Sequence, residues 1–517
     1  MSSNRNHRYS DVVSEYIRKT GTFGKVDGIR VHFNPDLDAL GGIAIAKWYS
    51  NSFFQFLQSV VVKFVPSGKE LMPKLGSLDV DTGNHRYDHH NKKDKNKCAM
   101  NLVAEDCGMF AKFKNVIQRI CVNDIGAGDI LGGQANGFQD ISIRHIVDGH
   151  RQLDQDASHE TQVQSFWNML TMVRAVLEAS LHLDGFKRNG GWKKILKKAY
   201  GKYLWLKYYD ELKLVGSHPE TLEKTINQLN VAFLEITDGE YSLEDAEKDM
   251  NLFKFFNEDS KWFINKDSKK WQPQIALFSI CGVAYGLTKI FNKCEVNDYL
   301  VEYLNKLDSL SIAWHTAIRD LSKPEKSRII KVSNRYNNLR FPSVATFVKS
   351  GSIKINPASR YTNGGSIKLK ASFTIMFREN NQIQIMGNNF PDIERIINLI
   401  GISLRDAESI CRGIQYEPKK IDKHGEYACW FKTGTTPDQA HIVANRTLTN
   451  PSVEITSLTP ATIMKIVVGV IEHGSMPSSK TIRDVLNECQ YINGFVKDRG
   501  YFRDFRHALL KEQGGWK

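Results

Sequence analysis

The feature that most constrains this chain lies near its start. After Gly28 an apolar run, Ile29-Arg30-Val31-His32-Phe33, gives way through the loop Asn34-Pro35-Asp36-Leu37-Asp38 to small residues running from Ala39 to Trp48. A buried strand, a turn rich in Asn, Pro and Asp, and a helix start is the reading of this block. Two further short apolar runs, Val60 to Val65 and Leu78 to Asp81, read as strands. Met100 to Ile120 reads as a helix and Ile120 to Asn123 as a fourth strand. Strands alternating with helices predict an α/β domain built on a mainly parallel sheet covered on both faces. In such sheets functional loops gather at the carboxyl ends of the strands.

Three of these expected strands end in acids. The first runs into His32, Asp36 and Asp38, the second block is Asp79-Val80-Asp81-Thr82-Gly83 followed by Asp88-His89-His90, and the third is Asp124-Ile125-Gly126-Ala127-Gly128-Asp129. Carboxylates with a few imidazoles suit manganese or magnesium, because hard oxygen donors with borderline nitrogen match those ions better than thiolates do. Asp36 and Asp38 also have a structural reading, as turn formers capping the helix that follows. Three unrelated capped turns, however, would have to place the same chemistry at three strand ends by accident.

The spellings His32-Phe33-Asn34-Pro35-Asp36-Leu37-Asp38-Ala39-Leu40-Gly41-Gly42, Asp79-Val80-Asp81-Thr82-Gly83 and Asp88-His89-His90 resemble the first three motifs of the DHH phosphoesterase family. That family includes RecJ-type exonucleases, nanoRNase-like enzymes, cyclic-dinucleotide phosphodiesterases and, more distantly, manganese pyrophosphatases. The stretch His85-Arg86-Tyr87-Asp88-His89-His90-Asn91 is also similar to the melanocyte-proliferating-gene type of DHH exonuclease, which writes its first motif differently. The resemblance implies two ions, Mn2+ or Mg2+: one on His32, Asp36 and Asp81, the other on Asp38, Asp81, His89 and Asp124, with Asp81 as the bridge. It further implies that His90 faces the substrate phosphate and that Asp88 orients the neighbouring imidazoles. Asp79 competes with Asp81, and Asp129 with Asp124.

Beyond the first domain, residues 1–150, the pattern becomes mainly helical over 151–325: Glu160 to His182, Gly191 to Val215, Pro219 to Phe233, Gln274 to Phe291 and Val296 to Ile318. After Lys323-Pro324-Glu325-Lys326 alternation of β type sets in, clearest in Ser366 to Phe377, where Ile367, Leu369, Ala371, Phe373 and Ile375 would share a face. Helices at Ile393 to Cys411, Pro460 to His473 and Ser479 to Leu486 complete an expected α+β domain over 326–517, in the place where the family carries a substrate-gripping cap. The family's glycine-rich motif is not spelled there. Its nearest counterparts are Arg360-Tyr361-Thr362-Asn363-Gly364-Gly365 with Lys368 on the following strand, and Lys432 to Thr436, although a plain hairpin turn is the favoured reading of either.

Charge bears on the substrate. In 517 residues, 70 Lys and Arg against 57 Asp and Glu leave +13, which favours an anionic partner such as nucleic acid or nucleotide. Between residues 187 and 213 nine basic residues stand against two acids, with Trp192, Leu196, Ala199, Tyr203 and Leu206 at helical spacing. This is either a solvated lysine face on a packed helix or a nucleic-acid or partner surface. The segment Arg499 to Arg506 interleaves rings and cations as single-strand binders do, or packs its rings inside. The eight cysteines are scattered without a CxxC pair, and neither a signal-peptide core nor an uncharged run of membrane length is present. The expectation is a soluble, cytoplasmic, metal-dependent phosphodiesterase or exonuclease for short or single-stranded nucleic acid, with a possible homo-oligomer or protein partner. The alternatives are hydrolysis of a small cyclic nucleotide signal and a non-catalytic binding scaffold.

Overall fold

The structure is a computed structural model, and it describes residues 10–66, 71–83, 85–90, 97–124, 142–144, 146–147, 157–188, 191–210, 213, 224–225, 227–231, 276–322, 327–331, 344–349, 373–377, 383–387, 393–413, 429–433, 442–445 and 455–496. The chain divides into two compact units, Met1–Ile312 and Ala313–Lys517. The helices expected as a separate extension over 151–325 therefore fall mostly within the unit that holds the acidic blocks.

In the first unit, α1 (Ser10–Thr20) precedes β1 (Gly24–His32), which is followed by α2 (Leu37–Tyr49), β2 (Phe54–Val65) and β3 (Ser77–Val80). The three strands form a parallel sheet in the order β2-β1-β3. β1 is central, so Val26, Ile29 and Val31 are wholly buried. α2 is covered all round from Leu37 to Ala46, as a crossover helix packed on both sides must be. Because β2 pairs on one side of β1 and β3 on the other, the ends of β1 and β3 face each other where strand order reverses, the usual place for a ligand crevice in an open α/β sheet.

Two helices follow: α3 (Ala99–Asp106) and α4 (Phe110–Asp124). The single helix expected over Met100 to Ile120 is thus broken at Gly108, whose φ of 72° reverses the chain cheaply only for glycine. The strand expected at Ile120 to Asn123 is instead the last turn of α4. Phe113, Val116, Ile117, Ile120 and Cys121 bury one helical face, and the short apolar run at its end mimics a strand when read alone. Close packing of α3 on α2 depends on Gly41 and Gly42. A Cβ on Gly41 would lie 2.5 Å from Met100 Sδ, and one on Gly42 3.1 Å from Val80 Cγ1 and 3.5 Å from Met100 Cα.

Among the described residues this unit continues with α5 (His159–Leu181), α6 (Leu183–Arg188), α7 (Gly191–Lys207), α8 (Ile280–Ile290) and α9 (Lys293–Ser322), whose last turns belong to the second unit. α5 packs on α2, α4 and α8. Gly286 lets α8 close on α5, since a Cβ there would meet the Ala175 carbonyl oxygen at 1.8 Å. On α7 the buried face is Leu196, Ala199, Tyr200, Tyr203, Leu204 and Trp205, whereas Leu206, expected on it, is 55% exposed. Lys202 and Lys207 pair with Asp298 and Asp308 of α9, as a solvated lysine face on a packed helix would.

The second unit carries β4 (Ser327–Lys331), β5 (Val344–Lys349), β6 (Phe373–Phe377), β7 (Ile383–Gly387), α10 (Ile393–Arg412), β8 (Phe431–Thr433), β9 (Ile442–Asn445), α11 (Pro460–His473) and α12 (Ser479–Val496). Its sheet runs β4-β5-β6-β7-β9-β8, antiparallel except between β5 and β6. Phe373, Ile375, Phe377, Ile383 and Ile385 join Ile393, Ile397, Ile400, Leu404, Ile463 and Val467 of the helices in one core. β6 is buried at all five positions, so the expected alternation of covered and exposed faces is absent there. The positions expected before it, Ile367, Leu369 and Ala371, lie outside the described residues, as do Arg360, Gly364, Gly365, Lys368, Asp129 and the segment Arg499 to Arg506.

Candidate metal centre

The end of β1 and the start of α2 set the first donors. His32 closes the strand, and its Nδ1 lies 2.9 Å from the Phe33 carbonyl oxygen. A carbonyl only accepts, so Nδ1 carries a proton toward it, and Nε2 lies 3.2 Å from Asp81 Oδ2. Asp36 is the N-cap of α2, its Oδ1 accepting from the amides of Asp38 and Ala39 at 3.1 and 3.0 Å. The capping reading of Asp36 and its reading as a ligand are therefore compatible, because one oxygen caps while the carboxylate stays within reach of His32 and Asp81.

Asp38, on the first turn of α2, is buried and turns to a different task. Its Oδ2 and Oδ1 accept from the amides of Ala99 and Met100, both at 2.8 Å. The N-cap position of α3 is Cys98, which supplies no side-chain cap, so Asp38 caps that helix from 61 residues away. Nothing local predicts this partnership, although a helix opening on Cys-Ala-Met without Ser, Thr, Asp or Asn is a sign that its first amides are satisfied from elsewhere.

Asp81 follows β3 directly. The register Val31↔Val80 puts it beside His32, and its backbone sits at φ 51°, a left-handed conformation that Asp and Asn tolerate better than most residues. Its amide donates to the Tyr87 carbonyl at 3.0 Å, tying it to the loop that carries Asp88, His89 and His90. His89 Nδ1 and His90 Nε2 approach Asp81 Oδ1 at 3.2 and 3.3 Å, and His89 Nε2 lies 3.0 Å from Asp124 Oδ2 at the end of α4. Three donor trios result: His32, Asp36 and Asp81; Asp38, His89 and Asp124; and Asp81, His89 and His90, the donor atoms of each within 4.8 Å of one another. Buried Asp/His clusters of this kind could hold a metal ion.

The geometry separates the two candidate acids of the second block. Asp79 is taken by Arg30, its cross-strand partner on β1, whose Nε donates to it at 2.6 Å, with Ser77 Oγ at 3.1 Å and His85 Nε2 at 3.4 Å. It enters none of the trios. Asp124 joins the cluster from a helix end rather than a strand end. Asp88 is buried and accepts from the His90 amide at 3.0 Å. The His90 ring is 49% exposed, on the open side of the cluster.

Electrostatics show what the cluster requires. Burial, followed by the charges of Asp124, Asp81 and Asp36, pushes the Asp38 carboxyl well above the usual carboxylate range. Burial would do the same to Asp81, but the neighbouring imidazoles of His32 and His89 hold it well below that range. Burial would lower His89, yet Asp124 and Asp81 on its two sides raise it to about 11. Among the described residues four carboxylates converge with three imidazoles, and Asp81 Oδ1, His89 Nδ1 and Asp124 Oδ2 are buried without hydrogen-bond geometry. Oxygen-rich donors of this kind fit a hard divalent cation.

No helix among the described residues is long and apolar enough to cross a membrane. The chain matches no protein-family model and no curated protein.

Proposed function

We propose that the first unit is a two-metal phosphoesterase, and that its substrate is short or single-stranded nucleic acid. The observation that carries the reading is the sharing of donors. Asp81 belongs to two trios and His89 to two, so that one carboxylate lies between two groups of ligands, as a bridging group must. His32, Asp36 and Asp81 would hold one ion, and Asp38, Asp81, His89 and Asp124 the other. Two divalent ions, Mn2+ or Mg2+, would supply there an activated water nucleophile and a clamp on the phosphoryl oxygens.

The side chains divide the remaining work. His32 presents Nε2 because its Nδ1 proton is spent on the Phe33 carbonyl. Asp38 is held rigidly by two amides, so its donor atoms do not reorganise. His89 has a carboxylate at each ring nitrogen, so one nitrogen can serve as ligand while the other donates a proton to the remaining acid, the arrangement that orients metal-bound imidazoles. His90, half exposed beside Asp81, would donate to a substrate phosphate oxygen. The excess of positive charge, +13, supports a polyanionic substrate.

The test is product analysis by mass spectrometry after the wild type, Asp81→Ala and His89→Ala are incubated with Mn2+ and a panel of short RNA, short DNA, cyclic dinucleotides and pyrophosphate. Release of mononucleotides from oligomers, lost in both variants, is the expected result. Cleavage of cyclic dinucleotide alone would establish a signal hydrolase, and binding of Mn2+ without turnover of any substrate would overturn the enzymatic reading.

A further inference from the structure

α3 meets the cluster directly at its start and, at its end, holds the loop that carries His89 and His90. At its start, the amides of Ala99 and Met100 hold both oxygens of Asp38. At its end, the carboxylate of Asp106 is gripped by Arg86 in a two-pronged pair, Nε to Oδ2 and Nη2 to Oδ1, the latter at 2.7 Å. Arg86 also reaches Ser14 Oγ of α1 at 3.4 Å. Three residues after Arg86 comes His89, and between them Tyr87 is buried against the rings of Phe23 and Phe54. A helix of eight residues is about 12 Å long and stiff, so its two ends cannot move independently.

We propose that α3 is an alignment strut between the two halves of the metal centre, in which Arg86 and Asp106 are positioning residues that set His89 and His90 against the Asp38 carboxylate. The inference rests on the metal-centre reading above. An Arg fork on a carboxylate fixes direction as well as distance, which a lysine at the same place would not. The Tyr87 anchor restrains the loop from the sheet side, and the Arg86–Asp106 pair restrains it from the helix side. Loss of the pair leaves every ligand present but free to rotate. Partners that orient ligands in this way are worth roughly ten- to a hundredfold in metal affinity.

The experiment is calorimetric titration of the full chain with Mn2+, comparing wild type, Arg86→Lys, Asp106→Asn and the double variant, with thermal unfolding of each metal-free protein recorded alongside. The expected result is a loss of ten- to a hundredfold in affinity in either single variant, with no further loss in the double variant. Glu105→Gln is the control, since it removes the exposed Lys97–Glu105 pair from the same helix without touching the loop, and its affinity should equal wild type. A wild type that binds no Mn2+ would refute the metal centre itself. A wild type that binds while Arg86→Lys and Asp106→Asn bind equally well would refute the strut and leave the centre standing. Where a single variant unfolds, its effect is read from Arg86→Lys, which keeps charge and bulk; unaltered affinity there overturns the proposal.

Discussion

Asp79 and Asp81 stand two residues apart with the same chemistry, and replacing each by Asn gives the sharpest test of the centre. Asn tolerates the left-handed backbone at position 81, so Asp81→Asn changes charge and donor strength while keeping the turn. Asp81 lies in two trios, and Asp79 in none. If an outer partner is worth up to about a hundredfold in affinity, a shared direct ligand is worth at least that. Ligand binding stabilises a folded protein by RT ln(1 + [L]/Kd), so Mn2+ at about 1,000 times the wild-type Kd adds about 4.1 kcal/mol, and a hundredfold weaker site at the same concentration adds about 1.4 kcal/mol. The assay is urea denaturation with and without Mn2+. Asp81→Asn should lose at least about two thirds of the metal-dependent increment, whereas Asp79→Asn should keep it while losing stability in metal-free protein, because Arg30 is left without its partner. An Asp81→Asn protein with the full increment, or an Asp79→Asn protein without it, would refute the assignment.

Asp36→Ser separates capping from ligation: serine caps nearly as well, so metal-free stability should hold within about 0.5 kcal/mol while Mn2+ affinity falls in calorimetric titration. Gly286→Ala should destabilise by about 2 kcal/mol or more in urea denaturation, because backbone at 1.8 Å cannot yield, whereas Gly469→Ala on α11, with nothing within 4 Å, should stabilise by about 0.5–1 kcal/mol. Glu408 is buried and receives Thr456 Oγ1, Ser457 N, Ser457 Oγ and Arg412 Nε at 2.6 to 2.7 Å. Burial would raise its pKa, but these donors hold it below the ordinary 4.5, so its contribution is present above 4.5 and is lost as pH falls through the depressed folded value. Glu408→Gln should therefore cost about 3 kcal/mol near neutral pH, with the gap to wild type closing in strong acid; a gap that is constant with pH would refute it.

Much of the centre was legible because its residues flank predicted secondary structure. His32, Asp36 and Asp38 follow β1, Asp81 follows β3, and the structure brings them together with His89 and Asp124. Asp124 was picked for the wrong reason, since four apolar and polar residues at the end of a helix carry no period of their own. Choosing between Asp79 and Asp81 required the β1/β3 register that sets Arg30 opposite Asp79. The Asp38 cap on α3 and the Arg86–Asp106 pair were invisible for the same reason: each joins residues far apart in sequence, and no local spacing encodes them. Helix α11, by contrast, runs from Pro460 to His473 as read, because Thr459 and Pro460 open it and Gly474 at φ 60° closes it.

The two amides held by Asp38 give the protein a built-in gauge. Ala99 and Met100 are buried, and they sense the carboxylate directly without being donors to any ion. A proton on Asp38, or a cation drawing electron density from it, weakens the acceptor and shifts the resonance of both N–H groups. Occupancy of the proposed centre would thus be followed at the backbone, in the untouched wild-type protein and with a diamagnetic ion such as Mg2+. Two neighbouring amide signals moving together on titration would report the filling of one particular ligand among several, a resolution that affinity measurements alone do not reach.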